Sequence, residues 1–247
     1  MPFTVILTGS AEAFPGLAEA LRAIPVDVEA IPLLAFVPPV DWGPVDEAAR
    51  GLTHYQAVAF TSPRAARAFV ERAAAARAVI PERLEVWASG AGTADALGHG
   101  LGPVRQPDRG AVGAQGAAVA LAAALASDGV RGPVLFPCGD IRRDELPARL
   151  RDQGIAVDEI VCYRTVLAGE SEARRAAARG QVLVVASPSV AELLARACPA
   201  AARPALLAVG PTTAAASRAS GWPPAAVASR PTAEALAAGV RALLAPR

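Results

Sequence analysis

Six turns in this chain set a hydroxyl, a glycine or a proline where an apolar run gives way to an alanine-rich one. They are Thr8-Gly9-Ser10, Thr61-Ser62-Pro63, Ser89-Gly90, Ser187-Pro188-Ser189, Gly210-Pro211-Thr212-Thr213, and Thr232 in "RPTAEAL". A serine or threonine ahead of a helix accepts from the unpaired amides of its first turn. Proline at the first helical position gives up only an N–H that had no partner there. Each of these residues can therefore be a cap and nothing more, and Ser189 with Glu192 has the S-x-x-E form of a capping box. Several helix amino termini gathered at one edge of a sheet do something further. Their amides and dipoles bind anions without any net positive charge, and the ligand they predict is a small molecule carrying several carboxylates or phosphates.

The rest of the composition narrows the chemistry by exclusion. Net charge is +1 over 247 residues, 53% of them hydrophobic, so no bulk field recruits nucleic acid or a membrane surface. No run reaches the ~18 uncharged apolar residues of a membrane span. The start, "MPFTVILTGSAEAF", lacks the basic segment of a secretory signal, and a cytoplasmic protein is expected. All 24 basic residues are arginine. Without lysine there is no Schiff base, no lysine general base and no phosphate-loop lysine; in so alanine-rich a sequence the arginine count itself carries little weight. Cys138, Cys162 and Cys198 stand far apart, with no CxxC and no histidine at ligand spacing. That argues against zinc or an iron–sulfur cluster and for a reducing compartment. His54 and His99 lie near no nucleophile motif and read as surface residues. With no GxSxG, HExxH or paired-carboxylate motif, an enzyme built this way works by orienting a reactive substrate. "GAVGAQGAA" from Gly110 has glycines but no strand before it, and reads as a loop.

The turns recur because the chain repeats itself. "AVAFTSPRAARAFVERA" from Ala57 matches "LVVASPSVAELLARA" from Leu183, with Ser62 over Ser187, 125 residues apart. "WASGAGTADALGHG" from Trp87 matches "LAVGPTTAAASRASG" from Leu207 at an offset of 120, and "LAEALRAIPVDVEAIPLL" from Leu17 matches "LPARLRDQGIAVDEIVCY" at 129. The runs "TVILT", "AVAFT", "LEVWAS", "PVLFPC", "QVLVVAS" and "ALLAVG" alternate with amphipathic alanine-rich stretches. Near-continuous apolar strands separated by helices predict parallel sheets covered on both faces. The expected fold is α/β, two similar doubly wound parallel-sheet domains produced by duplication. "FVPPVDWGP" from Phe36 and "YRTVLAGESE" from Tyr163 are the candidate linkers between them.

The ordered set "FTSPRAARAF", "CYRTV", "VVASPSVAELL", "AVGPTTAAA", "SGW" and "RPTAEALAAGV" resembles the uroporphyrinogen-III synthase family over nearly the whole chain. The resemblance implies an enzyme that closes the linear tetrapyrrole hydroxymethylbilane to uroporphyrinogen III. Water is lost, the last pyrrole ring is inverted, and neither metal nor organic cofactor takes part. It also implies two α/β domains joined by a two-stranded linker, residues 1–35 with 168–247 and residues 36–167, in a monomer whose partner is the tetrapyrrole.

Carried over motif by motif, Tyr163 is the catalytic candidate, its phenol reaching the departing hydroxyl or a carboxylate. An amphipathic tyrosine bridging linker and core is the alternative. Ser187, Ser189, Gly210, Thr212 and Thr213 fall on substrate-binding positions of one domain, Thr61 and Ser62 on those of the other. Of the two Ser-Pro turns, the one at Ser187 is the better site candidate, and Ser62 reads chiefly as a cap. Two departures matter. Gly9 follows Thr8 where many members have arginine, which leaves Arg142 or Arg143 of "CGDIRRDEL" to supply a cation or merely to open a helix in solvent. "ASGAG" stands where a "VGP" turn is usual, so Ser89 and Gly90 are left out of the site. A reading from another class is a two-lobed cytoplasmic sensor of a polycarboxylate, which would give no III isomer from hydroxymethylbilane.

Overall fold

The computed structural model describes residues 3–9, 14 and 16–244. The amino-terminal half of the chain runs β1 (Phe3–Leu7), α1 (Leu17–Arg22), β2 (Val26–Ala30), β3 (Leu34–Val37), α2 (Gly43–Arg50), β4 (Ala57–Phe60), α3 (Pro63–Ala75), β5 (Glu85–Ala88), α4 (Ala91–Leu97), β6 (Val104–Arg105), α5 (Arg109–Gln115) and α6 (Ala117–Ser127). The other half runs β7 (Val134–Gly139), α7 (Glu145–Asp152), β8 (Val157–Leu167), α8 (Glu170–Arg179), β9 (Val182–Val185), α9 (Pro188–Ala197), β10 (Ala205–Ala208), α10 (Pro211–Ala219), β11 (Ala226–Val227) and α11 (Ala233–Leu244). All six apolar runs read from the sequence are strands: β1, β4, β5, β7, β9 and β10. The two-residue strands β6 and β11 are too short to leave a pattern.

Two compact units divide the chain, Met1–Ala35 with Val166–Arg247 (unit 1) and Phe36–Thr165 (unit 2). Unit 1 holds a five-stranded sheet in the order β11-β10-β9-β1-β2, its strands pairing in parallel. Unit 2 is built on the order β3-β8-β7-β4-β5-β6, with parallel pairing from β8 through to β6. The chain passes between the units at β3 and β8, which are neighbours in one sheet.

Burial follows from this layering. Every residue of β4 and β9 is buried, because helices cover both faces of each sheet. Alternate residues serve opposite cores. Ile6, Leu183 and Val185 pack on one side of the unit 1 sheet, and Val5, Val182 and Val184 on the other. In unit 2, Val58, Phe60 and Val86 face one core and Ala57, Ala59 and Trp87 the other. Each large aliphatic side chain so buried contributes about 1.5–3 kcal/mol.

One expectation changes here. "GAVGAQGAA" is not a loop: α5 is capped by Asp108, whose carboxylate accepts from the Gly110 amide at 3.0 Å, and α6 begins directly after Gly116. Gly116 has φ of 87°, a conformation that glycine alone adopts without strain, and it lets two helices abut. Thr8 gives its hydroxyl to the Val184 carbonyl at 2.8 Å; Ser10 and the residues that directly follow it lie outside the described residues, and the next described helix, α1, runs from Leu17.

Candidate functional site

In unit 2 the strand order reverses between β4 and β7, and ligands of open parallel sheets bind outside the carboxyl ends of the strands at such a point. A cavity of about 460 Å³ opens there. Thr61 and Ser62 after β4, Ser89 after β5, Gly139 at the end of β7 and Tyr163 of β8 all line it. Three of the residues picked from sequence, Thr61, Ser62 and Tyr163, are thus brought together.

Tyr163 owes its aim to a backbone irregularity. Cys138 pairs with Val161 but Gly139 pairs with Tyr163, so one extra residue is inserted in β8. Along a regular strand Tyr163 would point to the face opposite Cys162, since side chains alternate. The bulge brings it round to pack on the same core as Ile160 and Cys162, the re-aiming such insertions produce beside active sites. Asp140 fixes the bulge by accepting from the amides of Ile141 (2.9 Å) and Thr165 (2.8 Å). The phenol lies against Gly139 so closely that a Cβ there would come within 2.6 Å of the ring, which is why that position is glycine. Its hydroxyl is 3.3 Å from the Ser62 hydroxyl. Phe36 meets the ring edge-on at 5.6 Å between centroids, and the Arg64 guanidinium lies 3.8 Å over Phe36. Ser62 also caps α3, accepting from the Ala65 amide at 3.4 Å. It is a cap and a cavity residue at once, so the chiefly-cap reading is too narrow.

Arg142 and Arg143 are exposed just ahead of α7, as a solvated helix start requires, and both also line the cavity; Arg142 is paired with Glu159, which a second arginine, Arg151, also reaches at 2.7 Å. Burial alone would raise the Glu159 carboxyl, but the hydrogen bonds from Arg151 and Arg142 outweigh it and hold the group below the usual range. Arg142 thus brings a guanidinium to the cavity wall, where Glu145 also stands. Arg143 lines it as well, with only a 3.8 Å contact to Glu145. Cys138 is in the wall too, but burial pushes its thiol up to about 11, so it stays protonated and is no nucleophile.

Unit 1 offers a second strand-end surface. Ser187 stands at the amino terminus of α9 and Gly210 at that of α10, and neither helix has a side-chain cap among the described residues. The capping box expected at Ser189 and Glu192 does not form, because the helix begins at Pro188 and Ser189 is already inside it. Its hydroxyl pairs with that of Ser187 at 2.8 Å. The first-turn amides are left free for a ligand. Thr212 is exposed, whereas Thr213 is only 4% exposed and gives its hydroxyl to the Ala186 carbonyl at 3.1 Å, bracing one strand end against the other. Thr232 does cap α11, accepting from Ala235 at 3.3 Å.

Sequence reasoning missed Ser89, Gly139 and the start of α6, Gly116–Val119, all in the cavity wall. Ser89 was legible only as a strand-end hydroxyl, and nothing local links α6 to a strand three elements away. His54 and His99 are exposed, as expected. Among the described residues no helix is long and apolar enough to cross a membrane.

Comparison with known proteins agrees with this architecture. The family described as uroporphyrinogen-III synthase HemD matches residues 16–238. A mutant uroporphyrinogen III synthase from the extremely thermophilic bacterium Thermus thermophilus superposes with a TM-score of 0.66 at 20% identity, covering 98% of each chain. The uroporphyrinogen-III synthetase of Helicobacter pylori gives 0.64 at 18%, covering 98% of this chain and 99% of its own. At such identities the structural likeness speaks for the fold, and the family match over most of the chain speaks for descent: the chain belongs to the uroporphyrinogen-III synthase family.

Proposed function

We propose that the unit 2 cavity centred on Tyr163 is a substrate-binding and catalytic surface for the reaction of this family, the cyclisation of hydroxymethylbilane to uroporphyrinogen III. The observation that supports it is the meeting of the Tyr163 and Ser62 hydroxyls in a strand-end cavity with Arg142 and Arg143 in its wall. Loss of the bilane hydroxyl leaves a cationic terminal pyrrole, and Tyr163 donates a hydrogen bond to the departing oxygen. Thr61, Ser62 and the amides of α3 hold carboxylates of the same substrate. In unit 1, Ser187, Ser189, Gly210 and Thr212, with the free amides of α9 and α10, serve as carboxylate-binding positions, and Thr213 braces them. Most of the rate comes from orientation, worth up to ~7–11 kcal/mol, so Tyr163 need supply only modest proton-transfer help. The enzyme acts as a lyase, as a monomer and in the cytoplasm.

The test is the isomer formed. Incubated with hydroxymethylbilane, the chain yields the III isomer, whereas spontaneous closure gives I; I alone would sink the reading. Tyr163→Phe lowers kcat tenfold or more, an estimate on the order of one lost proton-transfer contact, while leaving KM near that of the parent.

A further inference from the structure

Five buried residues in the described chain carry a hydroxyl: Thr8, Ser89, Thr93, Thr213 and Ser217. Thr8, Thr213 and Ser217 each give it to a main-chain carbonyl. The hydroxyls of Ser89 and Thr93 have no partner among the described residues, and of the two only Ser89, 8% exposed, lines the unit 2 cavity. Helix α6 packs against β5, the strand that delivers Ser89. Its first turn, Ala117, Ala118 and Val119, lines the same cavity. The cap residue of α6 is Gly116, which has no side chain to offer, and no described residue caps the helix from elsewhere. An eleven-residue helix thus presents unpaired amides and the positive end of its dipole to a cavity. A serine hydroxyl with no partner among the described residues lines that cavity, and Arg142, Arg143 and Glu145 stand in its wall.

We propose that the first turn of α6, with Ser89, is a carboxylate subsite that takes one acidic side chain of the tetrapyrrole. The subsite rests on the cyclisation reading and deepens it. It is separate from Tyr163: it binds a remote part of the substrate and sets affinity, not the chemistry of ring closure. Amides at a helix start and a serine hydroxyl are all donors to an anion, and an added negative charge in that turn must displace or repel the substrate's own.

The test exploits a conflict between stability and binding. Aspartate in the first turn of a helix is favourable to the helix itself, and Ala117 lines the cavity without packing on the core beneath, so Ala117→Asp keeps or raises the melting temperature. It lowers affinity for uroporphyrinogen III, titrated anaerobically by calorimetry, by about tenfold or more, the loss expected when a charged hydrogen-bonded contact goes. KM for hydroxymethylbilane rises in parallel, with kcat and the III isomer kept. Ala117→Asn, the same size without the charge, stays within about threefold of the parent, and Ser89→Ala weakens binding by roughly three- to tenfold. The subsite is overturned if Asp and Asn behave alike, or if Ala117→Asp binds product as the parent does while the parent makes the III isomer. A parent chain that makes only the I isomer overturns the cyclisation reading first, and the subsite with it.

Discussion

A phenol, a serine hydroxyl and a glycine with no room for a side chain define the chemistry at residue scale. Gly139→Ala would drive a methyl group to 2.6 Å from the Tyr163 ring, so the ring must leave Ser62. Because displacing a catalytic group by about 1 Å can cost 10²-fold, kcat for the III isomer should fall by roughly ten- to 100-fold; rate assays beside a melting curve separate this from unfolding. Protonation is predictable as well. Burial pushes the Cys138 thiol from 9.0 to about 11 and that of Cys162 to about 12, and Tyr55, half-buried and donating to Asp158 at 3.0 Å, from 10.0 to about 12. Above pH 9 the unfolded chain releases these protons while the folded one keeps them. The unfolded state then binds fewer protons, and stability falls as pH rises. Denaturant midpoints should hold steady up to about pH 9 and drop between there and pH 12, and Cys162→Ala should flatten that drop.

The two Ser-Pro turns look interchangeable as elements and are not. Ser62 accepts from the Ala65 amide at 3.4 Å, while Ser187 caps nothing and bonds Ser189. A lost cap costs about 0.5–2 kcal/mol, and the length of this one puts it at the low end. Ser62→Ala should therefore destabilise by about 0.5–1 kcal/mol, and Ser187→Ala by less than about 0.5. Chemical denaturation of the two variants side by side checks the order. The starts of α9 and α10, uncapped by any described side chain, are surfaces kept free for a ligand, and α6 shares that feature. Both uncapped cases were hidden in sequence, where serine, proline and glycine promise caps that only the settled backbone grants or withholds.

The repeats and the compact units cut the molecule differently. In sequence, α1–β2 matches α7–β8, while β4–α3 and β5–α4 match β9–α9 and β10–α10. In space, β6-β5-β4-β7-β8 corresponds strand for strand to β11-β10-β9-β1-β2. Each repeat has thus given its first β-α-β piece to the sheet of the other. The exchange passes through β8, one unbroken strand of 11 residues, and through its counterpart β2 with β3, interrupted at Pro32, which lacks the N–H a continuous ladder needs. Unit 2 is continuous in sequence and has its own cores, whereas β1 must find β9 some 176 residues later. A fragment of residues 36–167 should therefore fold alone with a cooperative thermal transition by circular dichroism. Residues 166–247 without 1–35 should not, because they leave the β9 edge bare.

Much of this was written locally. Apolar runs fixed six strands, the matched segments revealed the duplication, and the ordered motifs carried the family, because each depends on residues close together in the chain. The tertiary structure decided the rest. It exchanged the β-α-β pieces, turned Tyr163 to the cavity through a single bulged residue, tied Arg142 to Glu159, and brought α6 and Ser89 into one wall. These depend on register and sheet order, which are set by pairings between residues far apart in sequence, and a one-residue change of register reverses which face a side chain meets.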